Sequence, residues 1–313
     1  MRNKPLHIAL NMDDAYLVHA TNMLTSVFVN NAGLQIVVHI IAEKLSEEAK
    51  AQLKAVVCGQ YGKELSFHIV TSQRVSEFPS CEGSHISQAT YYRLFMADLL
   101  PESVNKVLYL DCDLVVETSL APLLDIDMSH SLLAAVEDMW SGKEENYERL
   151  GYPAQEGYFN AGVLLVNLEG WRRRRLSELF VAFSRTHDHL VFYDQDILNG
   201  VLHGQWLELS PKWNVQDGFL RRRCKVRAEK LGRVRKEAEH PAVVHYTGHR
   251  KPWRYDSVSP YRNRYFHYLD MTAWKGWRPA TPCRYKLKTM VDALLYTLRL
   301  KPLKYDSRYR AFR

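Results

Sequence analysis

The chain has 313 residues, 46% of them hydrophobic, which suits one large domain, or one domain with an appendage, around a sizeable buried core. A mean hydropathy of −0.32 and no apolar run long enough to cross a bilayer argue against a membrane-spanning protein; five scattered cysteines (Cys58, Cys81, Cys112, Cys224, Cys283), odd in number and without metal-ligand spacing, point to a reducing cytoplasm. The net charge of +7 is uneven: residues 278–313 hold ten Lys/Arg against two Asp/Glu, a surplus of eight, so residues 1–277 come to about −1.

At the N-terminus HIAL (7–10) reads as a short buried strand that ends in the polar NMDD, and no small-residue cleavage site follows, so a first strand is expected rather than a signal peptide. Residues 16–30 carry apolar positions at helical spacing, and QIVVHII (35–41) is a second strand. Ser46 opens a helix, SEEAKAQLKAVV, as a cap with Glu in the first turn. LSFHIV (65–70) is a third strand, Ser87 caps a helix that runs to about Leu100 before Pro101, and KVLYL (106–110) is a fourth strand. Strands alternating with helices predict a mostly parallel α/β sheet flanked by helices on both faces. Ligands of such sheets sit outside the carboxyl ends of the strands, where NMDD and Asp111-Cys112-Asp113 both fall.

Two carboxylates so close together repel, and a divalent cation relieves the repulsion. Hard oxygen ligands suit Mg2+ or Mn2+, and in a strict strand Asp111 and Asp113 would share a face. The same spacing also fits an exposed loop whose acids pair with basic neighbours. A rival pattern matches as well: haloacid dehalogenase-like phosphatases carry DxDx[TV] after a strand, as in Asp111-Cys112-Asp113-Leu114-Val115, with the first Asp as nucleophile. That family usually has the motif on its first strand with an acidic pair downstream, and here it comes after 110 residues with no such pair evident.

Three further stretches bear on the choice. EGYFNAGVLLVNL (156–168) places Asn160, Ala161 and Gly162 before an apolar strand; FYDQDILNG (192–200) places Asp194, Gln195 and Asp196 at a helix start; VVHYTGHRKPW (243–253) follows a strand with His245, Gly248 and Lys251. With the DxD motif, these resemble glycosyltransferase family 8, retaining nucleotide-sugar transferases of the GT-A fold, and within it the bacterial lipopolysaccharide and lipooligosaccharide glucosyl- and galactosyltransferases. The resemblance spans roughly residues 6 to 277. It implies that Asp111, Asp113 and His245 hold Mn2+ or Mg2+, and two carboxylates with a neutral imidazole leave positions open for diphosphate oxygens. It further implies that Lys251 and the Gly248 backbone meet the diphosphate, that Asp13 accepts from the uracil N–H with Tyr16 near the base, and that Asn11, Cys112 and Ala161 line the nucleotide-sugar site. Arg93 would reach the sugar and phosphate side, Asn160 and Asp194 would hold sugar hydroxyls, and Gln195 would lie beneath the anomeric carbon. His85 and Asp138 match acceptor-contacting positions. On their residues alone, Arg93 and Lys251 also read as surface cations, His85 as a capping or solvent histidine, His245 as a satisfied histidine beside a strand, and the acids of YDQD as dipole-favoured residues of a helix N-terminus.

The resemblance implies transfer of a hexose, galactose or glucose, from a UDP-sugar to a lipid-linked saccharide acceptor, the lipopolysaccharide core or a lipooligosaccharide, with retention of the anomer. Glutamine is a poor nucleophile, so same-face attack is expected, a diphosphate oxygen taking the acceptor's proton. A phosphatase using Asp111 and a non-catalytic nucleotide-sugar binder are the alternatives. In RYKLKTMVDALLYTLRLKPL (284–303), Leu287, Met290, Val291, Leu294, Leu295 and Leu298 share one helical face flanked by Lys and Arg, with Trp274, Trp277 and Tyr285 just before or within it. The expected division is a GT-A catalytic domain at 1–277 and a basic amphipathic tail at 278–313 that lies on an anionic membrane; docking of the stripe on the protein's own body is the other reading. No groove-reading motif is present, so no nucleic-acid partner is expected. The place this assigns is cytoplasmic, peripheral on the inner face of a bacterial inner membrane.

Overall fold

The computed structural model describes residues 5–80, 87–187, 189–298, 300 and 304–305. Its strands are β1 (Leu6–Asn11), β2 (Ile36–Ala42), β3 (Glu64–Ile69), β4 (Lys106–Leu110), β5 (Leu114–Val116), β6 (Leu133–Glu137), β7 (Phe159–Asn167), β8 (Trp206–Glu208), β9 (Val215–Gln216) and β10 (Val243–His245). Seven of them form one sheet in the order β3-β2-β1-β4-β7-β6-β8, and three form a second, β5-β10-β9. From β3 to β4 every pairing is parallel. β7 then runs antiparallel to both β4 and β6. All seven residues of β2 are buried, as a parallel strand covered on both faces requires.

The helix Leu17–Asn30 is buried from Ala20 to Phe28, because it is wedged between the large sheet and β5. Ser26 Oγ accepts from Val116 N–H at 2.9 Å and Asn30 Nδ2 donates to Val116 O at 3.0 Å, so the helix supplies β5 with partners that a further strand would otherwise give. Ser46 caps the helix Glu47–Lys54 by accepting from Ala49 N–H. Beyond Lys54 the chain widens into a π-helical turn, Ala55–Gln60, where the sequence pattern continues an α-helix.

Three local readings differ from the structure. The segment after Ser87 is a 3-10 helix over Gln88–Phe95 and α-helical only over Met96–Leu99. In 3-10 winding, residues i and i+3 eclipse, which aligns Thr90 with Arg93 so that both meet Asp194. Asp111 and Asp113 do not share a strand face; they lie in the turn between β4 and β5, where the chain leaves one sheet for the other. Asn160, Ala161 and Gly162 do not precede a strand; they are part of β7, since Phe159 already pairs with Glu137 of β6.

After the helix Arg262–Leu269, Arg278 pairs with Asp270 at 2.6 Å, and the helix Cys283–Thr297 follows with Tyr285 set edge-on to Tyr255. Its apolar stripe is uncovered: Leu287 is 64% and Met290 70% exposed, with Leu294 and Leu298 also exposed. Past it the chain returns to the body. Tyr305 is buried, its hydroxyl donates to Asp217 Oδ1 at 2.7 Å, and Arg222 N–H donates to Lys304 O at 3.1 Å. No helix among the described residues is long and apolar enough to cross a membrane.

Candidate active site

The site forms where the two sheets meet. Asp111 N–H donates to Gly162 O at 2.9 Å, which extends the β4–β7 pairing by one bond and fixes the first acid. β5 then pairs antiparallel with β10, setting Leu114 opposite His245, and Tyr246 N–H donates to Asp113 O at 3.0 Å. This register carries His245 to the acids although it lies 132 positions beyond Asp113. Its Nε2 lies 3.2 Å from Asp113 Oδ1 and 3.7 Å from Asp111 Oδ2, and one ligand atom from each of the three residues falls within 4.8 Å of the others.

These residues fit a divalent cation. Asp113 Oδ1 is buried without a hydrogen-bond partner, a costly state unless something else faces it. Two carboxylates and an imidazole are the donor set of a hard to borderline ion such as Mn2+ or Mg2+. Burial works against the charge on Asp113, but the Lys251 ammonium outweighs it and holds its carboxyl well below the usual carboxylate range. Lys251 Nζ contacts Asp113 Oδ2 and donates to Tyr246 O at 3.0 Å.

Arg93 is no surface cation. It is buried, pairs with Asp111 Oδ1 at 2.9 Å and Asp194 Oδ2 at 3.0 Å, donates to Ala161 O at 2.7 Å, and lies over the Tyr109 ring. Burial alone would lower its pKa; Asp111 and Asp194 raise it instead. Asp194 is pushed up to about 6, burial outweighing the pull of Arg93. Asn160 Nδ2 donates to Asp138 Oδ2 at 2.9 Å and to Gln195 Oε1 at 3.1 Å; Gln195 Nε2 donates to Asp138 Oδ2 at 3.2 Å. Asp138, whose carboxyl burial raises, therefore lies inside this network and also accepts from Trp140 N–H at 2.8 Å.

Asn11 Nδ2 donates to Ala89 O at 2.6 Å, the Tyr109 hydroxyl lies between Asn11 and Asp111, and the Cys112 thiol donates to Asn11 O at 3.4 Å. Asp13 accepts from Tyr16 N–H at 3.2 Å, which leaves the Tyr16 ring exposed at the rim. Gly248 has φ +80, a conformation that L side chains rarely adopt. His85 lies outside the described residues.

Several residues that build the site have no site role in the sequence motifs. Asp196 is fully buried and receives Arg149 Nη1 at 2.5 Å, the Tyr158 hydroxyl at 2.7 Å and the N–H groups of Val191 and Phe192. It thereby pins a turn in which Tyr193 sits at φ +45, immediately before Asp194 and Gln195. His19 stacks on Trp253 with centroids 3.5 Å apart and meets the Tyr265 hydroxyl at 2.7 Å, behind Tyr16; burial lowers its pKa to about 4. Asn214 bridges Asn160 and His245. Tyr109 stands two residues before Asp111 at the end of β4, and its hydroxyl donates to Asp111 Oδ1 at 2.9 Å.

A parallel half-sheet with acids at its strand ends, joined to a small second sheet that delivers a histidine, is the architecture of a GT-A glycosyltransferase. The family model "Glycosyl transferase family 8" matches residues 7–257, and the chain belongs to that family. Among its relatives, General stress protein A of Bacillus subtilis is 32% identical over 87% of this chain and 96% of its own length. Lipopolysaccharide 1,2-glucosyltransferase of Escherichia coli K12 is 28% identical over 88% of this chain and 80% of its own. The galactosyltransferase LgtC, crystallised with donor and acceptor sugar analogues, is similar at a TM-score of 0.76 and 28% identity, over 90% of this chain and 100% of that one. The protein is thus a glycosyltransferase, and the phosphatase reading of Asp111 falls. Its carboxylate is paired with Arg93 beside a second acid and a histidine, which is not the setting of a free nucleophile.

Proposed function

We propose that this protein is a retaining hexosyltransferase that moves glucose or galactose from a UDP-sugar to a saccharide acceptor, the lipopolysaccharide core or a lipooligosaccharide. The observation that carries the reading is that Arg93 pairs both with Asp111, of the cluster Asp111, Asp113, His245 and Lys251, and with Asp194, next to Gln195 and its partner Asn160. The names of two relatives support the acceptor class: lipopolysaccharide 1,2-glucosyltransferase of Escherichia coli and lipopolysaccharide 1,3-galactosyltransferase of Salmonella typhimurium.

In this reading Asp111, Asp113 and His245 hold Mn2+ or Mg2+, which supplies charge neutralisation for a departing diphosphate. Asp13 accepts from the uracil N–H, and the base lies against Tyr16, whose ring is backed by His19 and Trp253. Asn11, Cys112 and Ala161 line the nucleotide-sugar site. Lys251 shifts from Asp113 to the diphosphate oxygens, beside the left-handed backbone of Gly248. Asp194 and Asn160 take sugar hydroxyls in exchange for part of their present contacts, since buried polar groups need partners.

Gln195 Oε1 already accepts from Ala161 N–H at 3.0 Å and from Asn160 Nδ2 at 3.1 Å. Both lone pairs are engaged, which disfavours it as a nucleophile. The acceptor hydroxyl therefore attacks from the leaving group's own face and passes its proton to a diphosphate oxygen, while the anomeric carbon goes through an oxocarbenium-like state. Asp138 and His85 are assigned to the acceptor side.

Residues 1–277 form the catalytic domain in this proposal. Residues 278–313 form a tail that seats the enzyme peripherally on the anionic, cytoplasmic face of a bacterial inner membrane. The bare stripe on Cys283–Thr297 and the surplus of eight positive charges support this.

The test supplies Mn2+ and a panel of nucleotide sugars, and follows nucleoside diphosphate release with and without an oligosaccharide acceptor. Acceptor-dependent release from UDP-glucose or UDP-galactose is expected. Binding without turnover, or phosphate release that needs no acceptor, would overturn the reading.

A further inference from the structure

The amide side chains between β7 and β10 form a chain whose polarity is fixed by backbone groups that can only donate. Gly162 N–H lies 3.0 Å from Asn160, so the atom facing it is Oδ1. The same oxygen lies 2.8 Å from the Asn214 side chain, which must therefore present its Nδ2. The Asn214 Oδ1 is left facing the imidazole, 2.9 Å from His245 Nδ1. A carbonyl oxygen accepts and never donates, so a neutral His245 carries its proton on Nδ1. The far end of Asn160 gives the same answer independently. Its Nδ2 faces Gln195 Oε1, and that oxygen is identified as the acceptor by Ala161 N–H at 3.0 Å.

We infer that Asn214 is a positioning residue that locks His245 in the Nδ1–H tautomer, leaving the Nε2 lone pair aimed at Asp111 and Asp113 as a ready ligand. The opposite tautomer would turn an N–H toward the two carboxylates, satisfy them, and occupy the ligand position with a proton. Asn214 is fully buried, and its place is set by the Pro211–Asn214 turn that feeds β9, the strand paired with β10 beside His245. Its hydrogen bonds go to His245 and Asn160 and not to either acid, so its effect on the metal ligands passes through His245. Through Asn160 the chain continues to Gln195, which ties the imidazole and the sugar-side amide into one rigid unit. The inference rests on the metal reading of Asp111, Asp113 and His245 only for the use made of Nε2; the tautomer follows from the hydrogen bonds.

Two measurements test it. Long-range proton–nitrogen NMR of 15N-histidine-labelled native protein without metal, with the His245 signal assigned by its loss in His245→Asn, should show the Nδ1–H tautomer. The Nε2–H tautomer there overturns the inference without any variant. Mn2+ titration followed by electron paramagnetic resonance, at one pH and without donor, should show about 10- to 100-fold weaker binding for Asn214→Leu, together with loss of the single Nδ1–H signature. An Asn214→Leu protein that keeps the Nδ1–H tautomer and native Mn2+ affinity also overturns it. If native protein shows Nδ1–H yet binds no Mn2+, the relay is supported and the metal reading alone fails.

Discussion

A methyl group at Gly162 would lie 2.2 Å from His245 Cε1, 2.7 Å from its Nδ1 and 2.9 Å from Asp111 Oδ2. Real Cβ contacts are never so short, and β7 cannot retreat because β4 and β6 hold it on both sides. Gly162→Ala is therefore expected to expel the imidazole, with Mn2+ affinity and transfer both falling by about 100-fold while circular dichroism stays native; unchanged Mn2+ binding would refute the close-approach argument. Asp111→Ala should abolish metal-dependent transfer, and retained turnover would remove its ligand role. At this scale the sequence reveals residues whose chemistry repeats as a motif, such as Asp111, Asp113, Asp194, Gln195 and His245. It hides Asn214 and the buried state of Arg93, because their partners arrive from other strands: Asn214 meets Asn160, 54 positions away, and Arg93 meets Ala161, 68 away.

Single elements carry their own tests. Ser46 caps Glu47–Lys54 as its sequence predicts, and Ser46→Ala should lower stability by about 1 kcal/mol in urea unfolding. Across β1, β2 and β3, His7 Nδ1 meets His39 Nε2 at 3.0 Å and His39 Nδ1 meets His68 Nε2 at 2.9 Å. Burial, then the neighbouring His68 and His7, lowers the His39 pKa to about 3; burial also lowers His7 and His68. In the unfolded chain each titrates near its ordinary value of 6.5. The unfolded state therefore binds more protons below that pH, and the stability present above 6.5 is lost as pH falls toward 3. The melting temperature should drop steadily between pH 6.5 and 4.5, and His39→Val should flatten that slope; an unaltered slope would exclude the ladder as its source. Alternation and capping made these strands and this helix legible. The 3-10 winding of Gln88–Phe95 was not, because its Thr90 and Arg93 meet Asp194, which lies 104 positions beyond Thr90.

For the whole molecule, the helix Cys283–Thr297 lies between two ties to the body, Arg278 to Asp270 and Tyr305 to Asp217, with Leu287, Met290, Leu294 and Leu298 left exposed between them. Deleting residues 278–313 would also strip Tyr305 from the body, so point changes isolate the membrane question better. Leu287→Ser, Met290→Ser and Leu294→Ser combined remove three side chains each worth about 1.5–3 kcal/mol when buried. Partition onto anionic vesicles should fall more than about tenfold, with turnover of a soluble acceptor unchanged. Equal partition would rule out the stripe as the membrane contact.

Alternating strands and helices, acids at a strand end, and motifs in the family's order can all be read along the chain. These are local: periodicity, caps and short spacings act between neighbours along the chain. The assembled fold was needed to show that the acids leave one sheet for another, that β10 returns antiparallel to β5 and sets His245 beside them, and that Arg93 and Asn214 are buried inside the site. Such contacts depend on sheet register and on which distant groups share a dry interior. No stretch of sequence encodes that alone, because burial belongs to the assembled fold.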